Sequence, residues 1–204
     1  MSTPLTPPIQ TSRVLIFSDF NCPYCFTLNE WLAEEQLDGD VHWLGIEHRA
    51  SLPRGGSNSA SERRQLVEEV EDVKRRAPEV GVVAPSVWCS SHDALLLQNA
   101  AEVDYPETAA TLRRRLFRAY WREDKLLSDP EWLQQAAASF PDVEPALEQE
   151  ELERLTQWWA THLDRIPAML APTGVAHLGL QDKAAVVRFM RSALHETPAG
   201  PGCR

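Results

Sequence analysis

Val14-Leu15-Ile16-Phe17-Ser18-Asp19-Phe20-Asn21-Cys22-Pro23-Tyr24-Cys25-Phe26 is the stretch whose reading decides the fold. Its first four residues are an unbroken apolar run, which reads as a buried strand. The run stops at Ser18-Asp19-Phe20-Asn21, and beyond the two cysteines Leu28, Trp31 and Leu32 recur at helical spacing. Cys22 is therefore predicted at a helix start. Pro23 is tolerated there because a first-turn residue needs no intrahelical N–H. The unpaired N–H groups of that turn, together with the helix dipole, favour an anion on the Cys22 sulfur. This predicts a Cys22 pKa below that of a free thiol, and the thiolate is the reactive form. Cys25 falls about one turn deeper, close enough to Cys22 to open or close a disulfide by thiol exchange.

Two other uses of such a pair compete. C-x-x-C is half of many zinc sites, and Cys89 with His92 offers a C-x-x-H that would complete a Cys₃His set. Two inert, buried thiols are the other alternative. Zinc-knuckle cysteines usually sit in tight turns, whereas these lie at a strand-to-helix junction, which favours a redox dithiol and no metal.

Composition narrows the class. The 204 residues are 43% hydrophobic and 25% charged, as in an ordinary globular protein with one good core. The formal net charge of −10 speaks against nucleic acid or an anionic membrane as partner, since both call for a cationic face. Residues 1–12 show no basic segment followed by an apolar one, and no stretch approaches a membrane span. A cytoplasmic protein is expected, as a monomer or homodimer. Four cysteines are too few for a secreted disulfide scaffold, and in a reducing compartment C-x-x-C points to catalysis or metal binding.

Downstream, Asp38-Gly39-Asp40 makes a turn and Val41-His42-Trp43-Leu44-Gly45-Ile46 reads as a second strand, giving β-α-β with a parallel pair. Residues 52–59 read as a loop rich in breakers, most simply a plain connection. From there to 163 the pattern is helical: Leu66, Val70, Val73 and Ala77 form one stripe, and Leu112, Leu116 and Ala119-Tyr120 another. Arg113, Arg114, Arg115, Arg118 and Arg122 read as a solvated helix face. Ser128-Asp129-Pro130-Glu131 has the form of a capping box with Ser128 as cap. Leu152, Leu155, Trp159 and Leu163 line the last long helix of this block, with Trp158 and Trp159 expected to divide between core and surface.

Strand character returns at Ile166-Pro167-Ala168-Met169-Leu170 and Val175-Ala176-His177-Leu178, joined by a Pro-Thr-Gly turn, as in an antiparallel hairpin. A closing helix from Gln181-Asp182 should turn Ala184, Val187, Met190 and Leu194 inward. Pro167 opens a strand directly after a long helix, where a tight entry calls for a cis bond. That geometry would leave the Ile166 backbone free to pair with an extended peptide. The organisation expected is one domain over 13–195, with 59–163 as an inserted helical block. Residues 1–12 and 196–204 are expected as flexible tails, with Cys203 exposed and Cys89 buried.

These motifs in this order resemble the thioredoxin superfamily in its DsbA-like branch, and most nearly the FrnE-type oxidoreductases. The resemblance is carried by Asp19-Phe20-Asn21-Cys22-Pro23-Tyr24-Cys25 after a strand, Leu52-Pro53, Phe117-Arg118-Ala119-Tyr120-Trp121, Leu127-Ser128-Asp129, Arg165-Ile166-Pro167 and Gly179-Leu180-Gln181. It implies an α/β thioredoxin-like fold with a long all-α insertion between a βαβ half and a C-terminal ββα half. It also implies a thiol–disulfide oxidoreductase in which Cys22 is the nucleophile and Cys25 resolves. Pro23, Tyr24, Ile166 and a cis Pro167 are then expected to bind substrate. No cofactor is expected beyond the redox-active disulfide, with glutathione as a candidate exchange partner among thiol- and disulfide-containing proteins and small molecules. The chain departs from the pattern at Asp164-Arg165, where many relatives have small residues, and at Ala168, where threonine is common. Ile16 stands where thioredoxin proper carries a buried acid. The same helical insertion occurs in kappa-class glutathione transferases and 2-hydroxychromene-2-carboxylate isomerases, which supply the alternative enzyme class. A zinc-stabilised interaction domain is the alternative outside catalysis.

Overall fold

The computed structural model describes residues 5–139 and 148–195. Cys203 and the expected tail 196–204 lie outside the described residues.

The apolar run becomes strand β1 (Val14–Ser18), all five residues of which are buried. Burial follows from its central place, because β1 pairs on both sides. Strand β2 (Val41–Gly45) lies parallel to it, with Val14 opposite Val41 and Ser18 opposite Gly45. Helix α1 (Pro23–Glu34) makes the crossover between them. On the other side β1 pairs antiparallel with β3 (Ala168–Leu170), which pairs antiparallel with β4 (Ala176–Leu178). The sheet order is β2-β1-β3-β4. Between β2 and β3 the described chain forms α2 (Ala60–Arg76), α3 (His92–Asp104), α4 (Ala109–Glu123), α5 (Pro130–Ala136) and α6 (Gln149–His162), and α7 (Lys183–His195) follows β4. The expected α/β class, with helices interposed between a βαβ half and a ββα half, is what the chain adopts.

Side chains alternate across a strand, so β1 feeds two cores. Val14 and Ile16 join one cluster with Phe26, Leu28, Leu66, Val70, Leu112, Leu116 and Phe117. Leu15 and Phe17 face the other, with Leu155, Leu163 and Leu170. Both predicted stripes are buried, Leu66, Val70, Val73 and Ala77 on α2 and Leu112, Leu116, Ala119 and Tyr120 on α4. Gly45 explains how α3 packs so closely on β2. A Cβ at that position would meet Asn99 Oδ1 and Leu95 Cδ2 at 2.8 Å. Without one, the Gly45 N–H donates to Asn99 Oδ1 at 3.0 Å.

Four expectations change. The cap of α5 is Asp129, whose carboxylate accepts from Glu131 N and Trp132 N, while Ser128 Oγ donates to Arg54 O. Pro130 at the first helical position fixes the start one residue later than the capping-box reading. Helix α7 buries Val186, Met190 and Ala193, leaving Ala184 exposed, so its inward face is rotated from the predicted one. Among the arginines, Arg113 is 1% exposed, whereas Arg114, Arg118 and Arg122 pair with acids on or just beyond α1. Residues 5–12 form no helix or strand, yet the segment is docked. Leu5 and Ile9 pack on the Leu15 and Phe17 cluster, and the Leu5 N–H donates to Gly174 O at 3.0 Å.

Candidate active site

The turn from β1 into α1 is fixed by side chains from distant elements. Trp121 Nε1 donates to Phe20 O and Trp88 Nε1 to Asn21 O, each at 2.8 Å. Asn21 Nδ2 in turn donates to Cys89 O at 3.2 Å and Ser91 Oγ at 3.3 Å. Cys22 is the N-cap of α1 with extended backbone, Pro23 occupies the first helical position, and the first turn carries no acidic residue. Its side chain makes no cap hydrogen bond of the kind a Ser, Thr or Asp would supply.

Cys22, Cys25 and Cys89 are free thiols and all three are buried. Cys22 is 2% exposed and Cys25 0%. Burial pushes the Cys22 thiol well above the ordinary cysteine value, and its hydrogen bond and proximity to the Cys25 thiol add to this. The Cys25 backbone N–H pulls the other way, and the Glu69 carboxylate raises it further. The expected depressed pKa is therefore reversed, because loss of water around the sulfur outweighs the N–H groups of the helix start.

An open cavity of about 720 Å³ lies over this turn. Cys22, Tyr24 and Ile166 line it, together with His48, Arg49, Glu69, Trp159, Asp164, Arg165 and the segment 178–182. Pro23 and Cys25 are buried behind that wall, as is Pro167 beside Ile166. The Ile166–Pro167 peptide bond is cis, as the sequence predicts. Pro167 O accepts from the Gly179 N–H at 2.9 Å. Tyr24 donates its hydroxyl to Asp72 Oδ2 at 3.2 Å, and burial followed by the Asp72 charge raises its phenol pKa. Charges of both signs ring the opening. Arg49 pairs with Glu69 at 3.1 Å and lies 4.1 Å from the Trp88 ring centroid, while Arg76 pairs with Asp72.

Trp158 and Trp159 are both half-buried rather than divided between core and surface, and they differ in what they touch. Trp158 stacks on Phe17 at 5.1 Å, and Trp159 reaches the cavity with its Nε1 donating to Arg165 O. His92 turns to Glu47 Oε2 at 3.1 Å rather than joining the cysteines. Among the described residues, no group of three or more His, Cys, Asp and Glu side chains is arranged to hold a metal ion. The loop at 52–59 is a tied connection, with Ser90 N donating to Pro53 O, Ser57 N to Trp88 O, and Arg54 paired with Asp93.

Sequence reasoning missed Asp19 and His48. Asp19, 0% exposed, follows β1, and His48 follows β2. The parallel pairing of these strands brings their C-terminal ends together, where His48 Nδ1 is 2.8 Å from Asp19 Oδ2. The nearest sequence signal was the polar Asp19 placed between an apolar strand and the C-P-Y-C.

The sequence from 13 to 141 matches the family model of the DSBA-like thioredoxin domain. The chain belongs to that family. Solved structures share the DSBA-like architecture over most of their length. A probable DsbA oxidoreductase from Streptomyces coelicolor superposes with a TM-score of 0.68 at 16% identity, covering 94% of this chain and 93% of that one. Cytosolic disulfide reductase DsbM from Pseudomonas aeruginosa gives 0.63 at 16% identity, over 90% of this chain and 99% of that one. A 2-hydroxychromene-2-carboxylate isomerase gives 0.63 at 17% identity, over 90% and 94%. No protein of curated function matches the sequence. At these identities the likeness is one of fold, so the chemistry of this DSBA-like domain has to be argued from its own residues.

Proposed function

We propose that the protein is a thiol–disulfide oxidoreductase that exchanges disulfides with protein or small-thiol substrates through Cys22 and Cys25. The observation that carries this reading is the arrangement of two free thiols at the start of α1, the first lining an open cavity and the second enclosed behind it. Only the first is offered to a substrate. In the reductive direction Cys22 thiolate attacks a substrate disulfide, forming a mixed disulfide and expelling one substrate thiolate. Cys25 then attacks the Cys22 sulfur, which releases the second substrate thiol and leaves the Cys22–Cys25 disulfide. The oxidative direction is the reverse, and the chemistry needs no group beyond the two sulfurs. Ile166, with Pro167 beneath it, and Tyr24 form the walls that a substrate chain would meet on either side of Cys22.

Charges of both signs around the opening suit a substrate that carries both, such as a peptide or a small peptidic thiol. Glutathione is one of that kind, and the DsbM fold has been solved with it. A cytoplasmic setting belongs to this reading, supported by the sparing use of cysteine; no described helix is long and apolar enough to cross a membrane. The isomerase fold neighbour keeps a glutathione-dependent transferase or isomerase as the competing activity.

The test is a pair of serine variants assayed with a mixed glutathione disulfide and a model protein disulfide. Cys22→Ser should abolish exchange, and Cys25→Ser should accumulate a mixed disulfide on Cys22 visible by mass. No exchange by the wild type, with turnover of a 2-hydroxychromene-2-carboxylate instead, would move the protein to the isomerase class.

A further inference from the structure

Burial makes Cys22 a reluctant acid, so its proton needs somewhere to go. The cavity wall contains few acceptors. Arg49 and Arg76 carry no lone pair to offer. Tyr24 is engaged as a donor to Asp72. Glu69 is tied through Oε1, which takes Arg49 at 3.1 Å and Gln65 at 3.0 Å, and its charge is shared with the Arg49 guanidinium. On the far rim, Asp182 Oδ1 accepts from the Ala185 N–H at the start of α7, and Asp164 sits in solvent beside Arg165. The one imidazole among the described residues lining the cavity is His48.

His48 is held for one tautomer. Asp19 accepts from four donors: at Oδ2 the His48 backbone N–H at 3.0 Å and Nδ1 at 2.8 Å, at Oδ1 the Asn21 N–H at 3.4 Å and the Ser91 hydroxyl. Because Ser91 Oγ already accepts from Asn21 Nδ2, its own proton is the one directed at Asp19. A carboxylate surrounded in this way can only accept, which places a proton on His48 Nδ1, and in the neutral ring Nε2 then keeps its lone pair. The His48 side chain is 15% exposed and that of Asp19 1%. The buried acid fixes the ring, and His48 lines the same cavity as Cys22.

We propose that Asp19, His48 and Cys22 form a proton relay: His48 Nε2 takes the Cys22 thiol proton, directly or through one bridging water, and Asp19 acts as the positioning residue for the imidazole. This rests on the thiol–disulfide reading of the site. In the reductive direction the proton passes from Cys22 Sγ to His48 Nε2 as the Cys22–substrate S–S bond forms and the substrate S–S bond breaks. The imidazolium then protonates the departing substrate thiolate. Attack of Cys25 on Cys22 expels the second substrate sulfur, which takes up the Cys25 proton. Two electrons have then passed from the dithiol to the substrate disulfide, yielding two substrate thiols.

The test separates the relay from the exchange activity by reading Cys22 alone. The rate of iodoacetamide modification of Cys22, followed by peptide mass in the reduced full chain, is measured from pH 5 to 10 in wild type, His48→Gln, His48→Ala and Asp19→Asn. Disulfide turnover is measured in parallel. The wild-type rate should show a shoulder below the main rise of the Cys22 thiol. In His48→Gln the shoulder should vanish and the rate at pH 7 should fall about ten- to hundredfold. Added imidazole should restore part of it in His48→Ala. Asp19→Asn should weaken the shoulder, and where that variant fails to fold the His48 variants decide. Superimposable profiles in wild type and His48→Gln would overturn the relay while leaving the oxidoreductase reading intact. A shifted profile in a protein with no disulfide turnover would overturn the oxidoreductase reading and keep the relay.

Discussion

Glu69 sits on the cavity wall opposite His48 in electrostatic sense: it raises the Cys22 pKa, whereas a protonated imidazole would lower it. Its carboxylate is bound to Arg49, so Glu69→Gln removes a negative charge and frees a positive one at the same time. Both changes favour the thiolate. We expect Cys22 in Glu69→Gln to be alkylated roughly two- to tenfold faster at pH 7, with the rise in rate displaced to lower pH. A displacement to higher pH would mean that Glu69, rather than His48, accepts the thiol proton. At this scale the sequence was legible where the signal is local. Cys22 and Cys25 announce themselves by spacing, and Pro167 by its place between a helix and a strand. Asp19 and His48 do not, because what joins them is the parallel register of two strands and nothing in either residue's neighbourhood.

Helix α4 shows the same limit for elements. Its apolar stripe was readable, but five arginines on one helix look alike until their neighbours are known. Arg113 Nε donates to Asn29 Oδ1 on α1 at 3.1 Å and Nη1 to Glu102 Oε1 on α3 at 2.8 Å, while the guanidinium lies 4.4 Å from the Trp43 ring centroid on β2. One side chain thus clamps three elements to a fourth. Burial lowers the Arg113 pKa and raises that of Glu102 even though each charge favours the other, so the pair offsets its own desolvation without exceeding it. Removing one partner is then worse than removing both. Arg113→Met should destabilise the fold by about 3–5 kcal/mol in urea unfolding, and adding Glu102→Gln should recover part of the loss. Additive losses in the double variant would show that the two charges act independently. The cap of α5 and the face of α7 were misread for a related reason: adjacent candidates, Ser128 or Asp129 and Val186 or Val187, differ by one position, and only packing against the rest of the chain chooses between them.

At the scale of the whole molecule, the order of strands and helices was readable because each carries its own period, and the docking of residues 5–12 was not, because Leu5 and Ile9 have no period to show. What the complete fold adds is enclosure, and its effect on acidity can be measured. Burial raises the pKa of Cys22, Cys89, Tyr24 and Tyr120 alike. In the unfolded chain these groups titrate near the ordinary thiol and phenol values, about 8.5 and 10. A group whose pKa is raised by folding supports the fold while protonated, below its unfolded pKa. As pH climbs past that value the unfolded chain loses protons that the native one keeps, so unfolding becomes easier. The window therefore opens above about pH 8.5 for the two thiols and nearer 10 for the phenols. Each fully enclosed thiol contributes a slope of about 1.4 kcal/mol per pH unit until its native pKa is reached. Urea midpoints of the reduced protein should be level from pH 7 to 8 and fall steadily from 8.5 to 10.5. Cys89→Ala should start from a somewhat lower midpoint and decline less steeply, since one of the two thiols that burial raises is then absent. Equal slopes in the two proteins would mean that Cys89 ionises as freely in the native state as in the unfolded one.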